Sequence, residues 1–189
     1  MSVVDKDNIS VDAATTEVIR HYISSAAREM ERTLVRTAYS TIIYEINDYG
    51  LSIFDRKLRL LGDSTGLSTF LGANEYAVVK CQELGLFYEI TPGDVIMMNV
   101  PYVTGAHTND AILVSAAFFD NELVAYTCVR AHWTDIGGKD PGYILDSTTI
   151  HQEGLLIPGI KIVEAGVPNE SVLNIIKANS RAPISILGD

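Results

Sequence analysis

The sequence predicts an α+β fold: a mixed or antiparallel sheet with a central β-hairpin, covered by helices and preceded by a long N-terminal helix. Three observations carry that expectation. Residues 111–119 and 123–131 are two apolar stretches parted only by Asp120-Asn121-Glu122, which reads as strand, tight turn, strand. Residues 12–38 carry Val18, Ile19, Tyr22, Ile23, Ala26, Met30, Leu34 and Ala38 at helical spacing. Residues 71–84 and 169–179 read as further helices that supply the cover.

In chain order, Asp12 or Thr15 caps the first helix, whose apolar stripe packs inward. Arg20, Arg28, Glu29, Glu31, Arg32 and Arg36 form its solvated face. Residues 44–54 and 57–61 read as two strands joined at Asp55-Arg56. The turn Pro92-Gly93-Asp94 leads into a buried strand at 95–99, which Pro101 closes before the loop carrying Gly105 and His107. A short strand at 160–163 precedes the last helix, with Asn169 as its cap and residues 180–183 as its exit. Ile184, Ile186 and Leu187 have no later sequence to bury them, so a further segment or a partner is expected to cover them.

With 189 residues, 47% hydrophobic and 20% charged, the chain is expected to form one folded region over 1–189 rather than a disordered one. A net charge of −10 without any basic run argues against a nucleic-acid partner, because Lys and Arg supply phosphate affinity. Cys81 and Cys128 form no CxxC pair and are expected as buried thiols. Residues 1–10 include Asp5, Lys6 and Asp7 and lack the apolar stretch of a signal peptide. With no apolar run of about 18 residues either, the expected setting is the cytoplasm, without membrane insertion. The segment from Gly137 to Gly142 lacks the spacing of a nucleotide-binding loop and is expected to be a turn near the site.

If Phe119 faces Leu123 across a three-residue turn, the hairpin register places Asp110 opposite His132, with Cβ atoms about 5 Å apart. His107 lies three residues before Asp110, close enough for the loop to fold it back. Two imidazole nitrogens and one carboxylate oxygen are a common donor set for a catalytic divalent cation that keeps positions free for water or substrate. Three of the chain's four histidines, His107, His132 and His151, fall in this stretch. Such residues at strand ends also satisfy loose backbone groups, and the same donor set serves mononuclear iron oxygenases.

A collinear series of short motifs then runs along the chain. It starts with Arg36-Thr37-Ala38-Tyr39-Ser40, the acidic pair Glu45 and Asp48, and Gly93-Asp94-Val95. Asn99-Val100-Pro101-Tyr102, Gly105-Ala106-His107, Asp110 and Arg130-Ala131-His132 follow. Asp135-Ile136-Gly137-Gly138, Pro141-Gly142, Gln152-Glu153-Gly154-Leu155 and Ile157-Pro158 complete it. In this combination the chain resembles the leading part of the hydantoinase B family of ATP-dependent hydantoinases and oxoprolinases. The large metal-carrying subunits of acetone and acetophenone carboxylases are similar. Members are normally much longer, so the resemblance implies a region incomplete relative to the family.

The resemblance implies that His107, Asp110 and His132 hold a divalent metal (Mn, Zn or Fe), the set the hairpin register also selects. Asp135 is then expected either to orient His132 or to cap the Gly137-Gly138 turn, and Glu45 to be a gate, a general base or a plain surface residue. Two positions depart from the family pattern: Val100 where many relatives carry an aspartate, and Trp133 where many hydrolase-like members carry a second histidine. The activity implied is that of the metal-bearing subunit of an ATP-dependent cyclic amidohydrolase. A hydantoinase A-like partner, holding ATP and Mg, would phosphorylate the cyclic amide within a hetero-oligomer. The equivalent subunit of an ATP-dependent ketone carboxylase and a non-catalytic scaffold fragment are the other readings.

Overall fold

The computed structural model describes residues 11–70, 72–85 and 90–189. Helix α1 (Ala13–Thr37) leads, with the Asp12 carboxylate accepting from Thr15 N at 2.9 Å. A single turn, α2 (Thr41–Tyr44), precedes the pair β1 (Tyr49–Asp55) and β2 (Leu60–Thr65). A 3-10 turn (Ser68–Phe70) and α3 (Ala73–Glu83) come next, then β3 (Val95–Met98) and the one-turn α4 (Pro101–Thr104). The long hairpin of β4 (Asp110–Phe119) and β5 (Glu122–His132) is followed by a 3-10 turn (Ile150–Gln152). The chain finishes with β6 (Pro158–Glu164), β7 (Val167–Pro168), α5 (Glu170–Asn179) and α6 (Pro183–Gly188). The strands make one antiparallel sheet in the order β2-β1-β5-β4-β3-β6-β7, so the predicted hairpin is central.

Because side chains alternate along a strand, the hairpin sorts its residues onto two faces. Ile112, Val114 and Cys128 join Phe54, Ile96 and Met98 under Ala77, Val78 and Cys81 of α3. On the reverse face Met97 and Ala111 pack with Trp133, Ile136, Ile176 and Ile186, which brings in α5 and α6. Leu51 and Ala131 pack with Met30, Leu34 and Val35 of α1. Asp110, Arg130 and His132 fall on the α3 face by the same alternation. Their positions are therefore set by the burial of the apolar residues between them.

Several local expectations are corrected. The turn of the hairpin has two residues, not three: Phe119 pairs with Glu122, and Asp120 and Asn121 take φ of 49° and 63°, the left-handed pair a primed turn requires. A bulge between Ala117 and Phe118 then restores the register, so Asp110 still faces His132. The first strand begins at Tyr49, not 44, because the Ser40 hydroxyl accepts from Ile42 N and starts a helical turn, and Asn47 reverses the chain at φ 61°. The second strand begins at Leu60 because the Asp55 carboxylate accepts from both Lys57 N and Arg59 N, widening the turn.

The apolar stripe of α1 is covered only in its second half; Val18, Ile19 and Tyr22 are exposed. At the other end, Ile186 is buried in the α5–α6 cluster, whereas Ile184 remains exposed. Cys81 and Cys128 are free, buried thiols, and burial pushes them up to about 11 and about 12. The predicted helix at 71–84 starts at Ala73, and Leu71 lies outside the described residues.

Candidate metal centre

His132 ends β5 in the middle of the sheet, with a neighbouring strand on each side. On the β4 side, its Nδ1 lies 2.7 Å from Asp110 Oδ1. On the β1 side, its N–H donates to Asp48 O at 3.0 Å, and its Nδ1 is 3.8 Å from Asp48 Oδ2. All three side chains are buried. Asp48, the residue before β1, thus lines up with His132 of β5 and Asp110 of β4 in one row.

His107 completes the group from the loop. Its N–H donates to Asp110 Oδ2 at 2.9 Å, and its Nδ1 stands 3.9 Å from the same oxygen. Buried polar side chains hold that loop in place. Asn99 donates to Thr108 O at 2.7 Å and Leu155 O at 2.9 Å and accepts from Ile157 N at 2.6 Å. Asn109 donates to Trp133 O at 2.7 Å, tying the loop to the residue after His132. The His107 and His132 rings meet edge to face with centroids 5.6 Å apart. One donor atom each from His107, Asp110 and His132 can be chosen so that all lie within 4.8 Å of one another.

The glycine-rich segment after β5 supplies an unforeseen neighbour. Its turn brings Tyr143 back so that its ring stacks on His132 at 4.4 Å, and its hydroxyl donates to Asp48 Oδ2. Burial and the Asp48 carboxylate push the Tyr143 phenol upward, which keeps it protonated as a donor. Lys139 of that segment pairs with Asp146 at 2.6 Å, consistent with a turn.

Asp135 sits elsewhere. Its oxygens accept from Gly137 N at 3.1 Å and from the Arg181 guanidinium at 2.5 and 3.0 Å, so it caps the Gly-Gly turn, one of its two expected roles. The carboxylates at His132 are those of Asp110 and Asp48. Glu45 is exposed at the end of α2, and its backbone carbonyl accepts from Asn47 at 3.4 Å. His151 is exposed on a 3-10 turn and is not one of the three grouped residues. Trp133, on the opposite face from His132, is buried in the α5–α6 cluster.

The three grouped residues suit a divalent cation on two counts. One donor atom from each of the three lies within 4.8 Å of the others, close enough for a single cation to gather them. The centre is also short of partners, since His132 Nε2 and Asp48 Oδ1 are buried without a hydrogen bond among the described residues. Beside it opens a cavity of about 330 Å³, lined by Asp48, His107, Asp110, Arg130 and Tyr143 together with Leu67, Phe70 and Ala73. A second, more apolar groove of about 550 Å³ lies between α1 and the other sheet face, away from the histidines.

The sequence profile of the Hydantoinase B/oxoprolinase family matches residues 12–189. Among curated relatives, the beta subunit of caprolactamase from Pseudomonas jessenii is 35% identical over 181 residues, covering 95% of this chain and 31% of that one. A Pseudomonas protein named as the B component of a D-/L-hydantoinase is 32% identical over 194 residues, covering 100% of this chain and 33% of the relative. The chain therefore spans about a third of the length of these relatives. The crystal structure of the ATP-dependent caprolactamase from Pseudomonas jessenii superposes with a TM-score of 0.80 at 33% identity, over 96% of this chain and 31% of that one. A nucleotide-free acetone carboxylase structure superposes at 0.74 with 16% identity, over 92% of this chain and 24% of that one, a likeness of fold alone. A profile match from residue 12 to residue 189 and a close superposition on caprolactamase lead to one assignment: the chain belongs to the hydantoinase B/oxoprolinase family.

Proposed function

We propose that this chain supplies the metal half-site of a cytoplasmic, ATP-dependent cyclic amide hydrolase of the hydantoinase or oxoprolinase kind. Its cyclic amide would arrive already phosphorylated by a hydantoinase A-like ATPase partner that holds ATP and Mg, within a hetero-oligomer. The observation that carries this reading is the convergence of His107, Asp110 and His132 beside a cavity of small-molecule size. Relatives named as parts of a hydantoinase and a caprolactamase support a cyclic amide as the substrate class.

His107, Asp110 and His132 would hold a divalent ion (Mn, Zn or Fe), which would supply Lewis acidity and lower the pKa of water toward neutral. The protein groups do the rest. Asp110 fixes the His132 ring through Nδ1 and the His107 backbone through its N–H. Asp48 is placed to accept a proton at its unpartnered Oδ1 while Tyr143 holds the other oxygen. Phe70, Leu67 and Ala73 add apolar lining to the cavity and would limit water there. Asp135 would act indirectly, by holding the Gly137 turn that precedes Tyr143, and Glu45 is an exposed residue at the end of α2.

Calorimetric titration of Zn²⁺ and Mn²⁺, with His107→Ala and His132→Ala as controls, tests the metal. The expected result is one ion per chain and loss of binding in both variants. An assay of the assembled complex then tests the reaction, with ATP-dependent ring opening that needs no bicarbonate as the expected result. Ketone-dependent fixation of labelled bicarbonate would instead assign the carboxylase chemistry. Assembly without metal-dependent turnover would leave a scaffold.

A further inference from the structure

Arg130 is among the largest fully buried side chains of the described residues, and it stands two positions before His132 on the same face of β5. Gly50 and Ile112 flank it across the sheet. The missing side chain at Gly50 is required, since a Cβ there would come 2.8 Å from the Phe70 Cβ, and the Phe70 ring lies 5.4 Å from the Arg130 guanidinium.

Three contacts fix the guanidinium. Nε donates to Asn74 Oδ1 at 3.0 Å, and Nη2 donates to Thr104 O at 2.8 Å and to Ala73 O at 3.4 Å. Asn74 is itself anchored to Gly50 O and the Ser52 hydroxyl, both at 3.1 Å. Nη1 is buried and has no hydrogen-bond partner among the described residues. Neither carboxylate of the site bonds it: Asp110 spends its oxygens on His132 and His107 N, and Asp48 gives Oδ2 to Tyr143 and leaves Oδ1 unpartnered among the described residues. A buried cation with an unmet donor is costly, and an apolar side chain of the same bulk would serve stability better. Yet Arg130 lines the same cavity as His107 and Asp110.

We propose that Arg130 is an anion-binding residue of this cavity, its Nη1 group receiving a negatively charged oxygen, phosphate- or carboxylate-borne, of the small molecule held beside the metal donors. The inference rests on the proposed half-site, where a phosphorylated substrate meets the cation. An arginine suits the task because its planar fork stays oriented by Nε and Nη2 while Nη1 faces the ligand; a lysine has no such division of labour. The cation and Arg130 would then bracket the anion, offsetting the two carboxylates that would otherwise repel it.

The test titrates inorganic phosphate and, separately, acetate into the full Zn²⁺-loaded chain, following the Arg130 Nε–H signal by nitrogen-15 NMR and the affinity by calorimetry. A saturable shift at one anion per chain is expected, with at least a tenfold loss of affinity in Arg130→Lys while Zn²⁺ affinity stays within threefold. A response to phosphate alone assigns the phosphoryl group of an activated substrate, and a response to acetate alone assigns a substrate carboxylate. No shift with either anion on the folded, Zn²⁺-loaded wild type overturns the proposal. So does a wild-type affinity equalled by folded Arg130→Lys. If that variant does not fold, the wild-type titration alone decides. Zn²⁺ uptake and its loss in His132→Ala are read in the same samples, so failure of the metal half-site is seen separately from failure of Arg130.

Discussion

Asp48 stands 3.8 Å from His132 Nδ1 and its carbonyl accepts the His132 backbone N–H, so the residue just before β1 brings a second buried carboxylate to the histidine that Asp110 already holds. Its Oδ1 has no partner. Asp48→Asn is therefore expected to weaken divalent-metal binding by about 10- to 100-fold, measured by calorimetry. Asp135→Asn, whose contacts run to Arg181 and Gly137, should leave that affinity unchanged. Equal losses in the two variants would mean that Asp48 acts only through the fold.

Asp135 and Asp94 make the structure acid-sensitive. Burial opposes the Asp135 charge, but hydrogen bonds from Arg181 and Gly137 hold its carboxyl below the ordinary range. Lys161 at 2.8 Å, together with Ala165 N and Thr91, holds Asp94 well below it. Both folded values lie beneath the unfolded value of about 3.9. Their stabilisation is thus complete above that pH and is lost as pH falls through the folded values. Thermal melts between pH 7 and pH 2 should show Tm falling below about pH 4, with a shallower fall in Asp135→Asn and Asp94→Asn. Parallel pH curves for wild type and variants would reject the assignment.

Asn99 makes three hydrogen bonds in a buried position and thereby fixes the loop that carries His107. Asn99→Ala leaves two carbonyls and one N–H without their partner, a cost of about 2–3 kcal/mol. Urea denaturation should show that loss, and metal affinity should fall with it because the His107 loop is freed. Retained metal affinity in a destabilised variant would show that the loop is held by Asn109 instead.

Gly50→Ala forces Phe70 away from β1, since the added carbon meets the Phe70 Cβ at 2.8 Å. The expected cost is about 1–3 kcal/mol for an overpacked site. The Arg130 Nε–H resonance should move as well, because Phe70 is its ring neighbour. A stable variant with an unmoved resonance would disprove the packing argument.

Much of this arrangement is legible in the chain because the periods are strong. Two alternating apolar stretches around a two-to-three-residue polar turn place Asp110 opposite His132, and that pairing survives an error in turn length only because the bulge at Ala117 and Phe118 compensates for it. Asp48 is visible in the sequence only as one acidic residue in a motif. Its place beside His132 depends on β1 pairing with β5, a contact between segments some eighty residues apart that no local pattern specifies. Tyr143 is less legible still, since the turn that returns it follows no regular period.

From residue order alone came the α+β class, the central hairpin, the caps at Asp12 and Asn169, and the trio His107, Asp110 and His132, all consequences of short-range periodicity and turn chemistry. Tertiary structure decided which residues surround that trio. The sheet order set Asp48 at its flank, helix α3 and Gly50 made room for Arg130, and Arg181 drew Asp135 away. The physical reason is that a strand's side-chain direction is written locally, whereas its neighbour is chosen by the burial of both sheet faces at once.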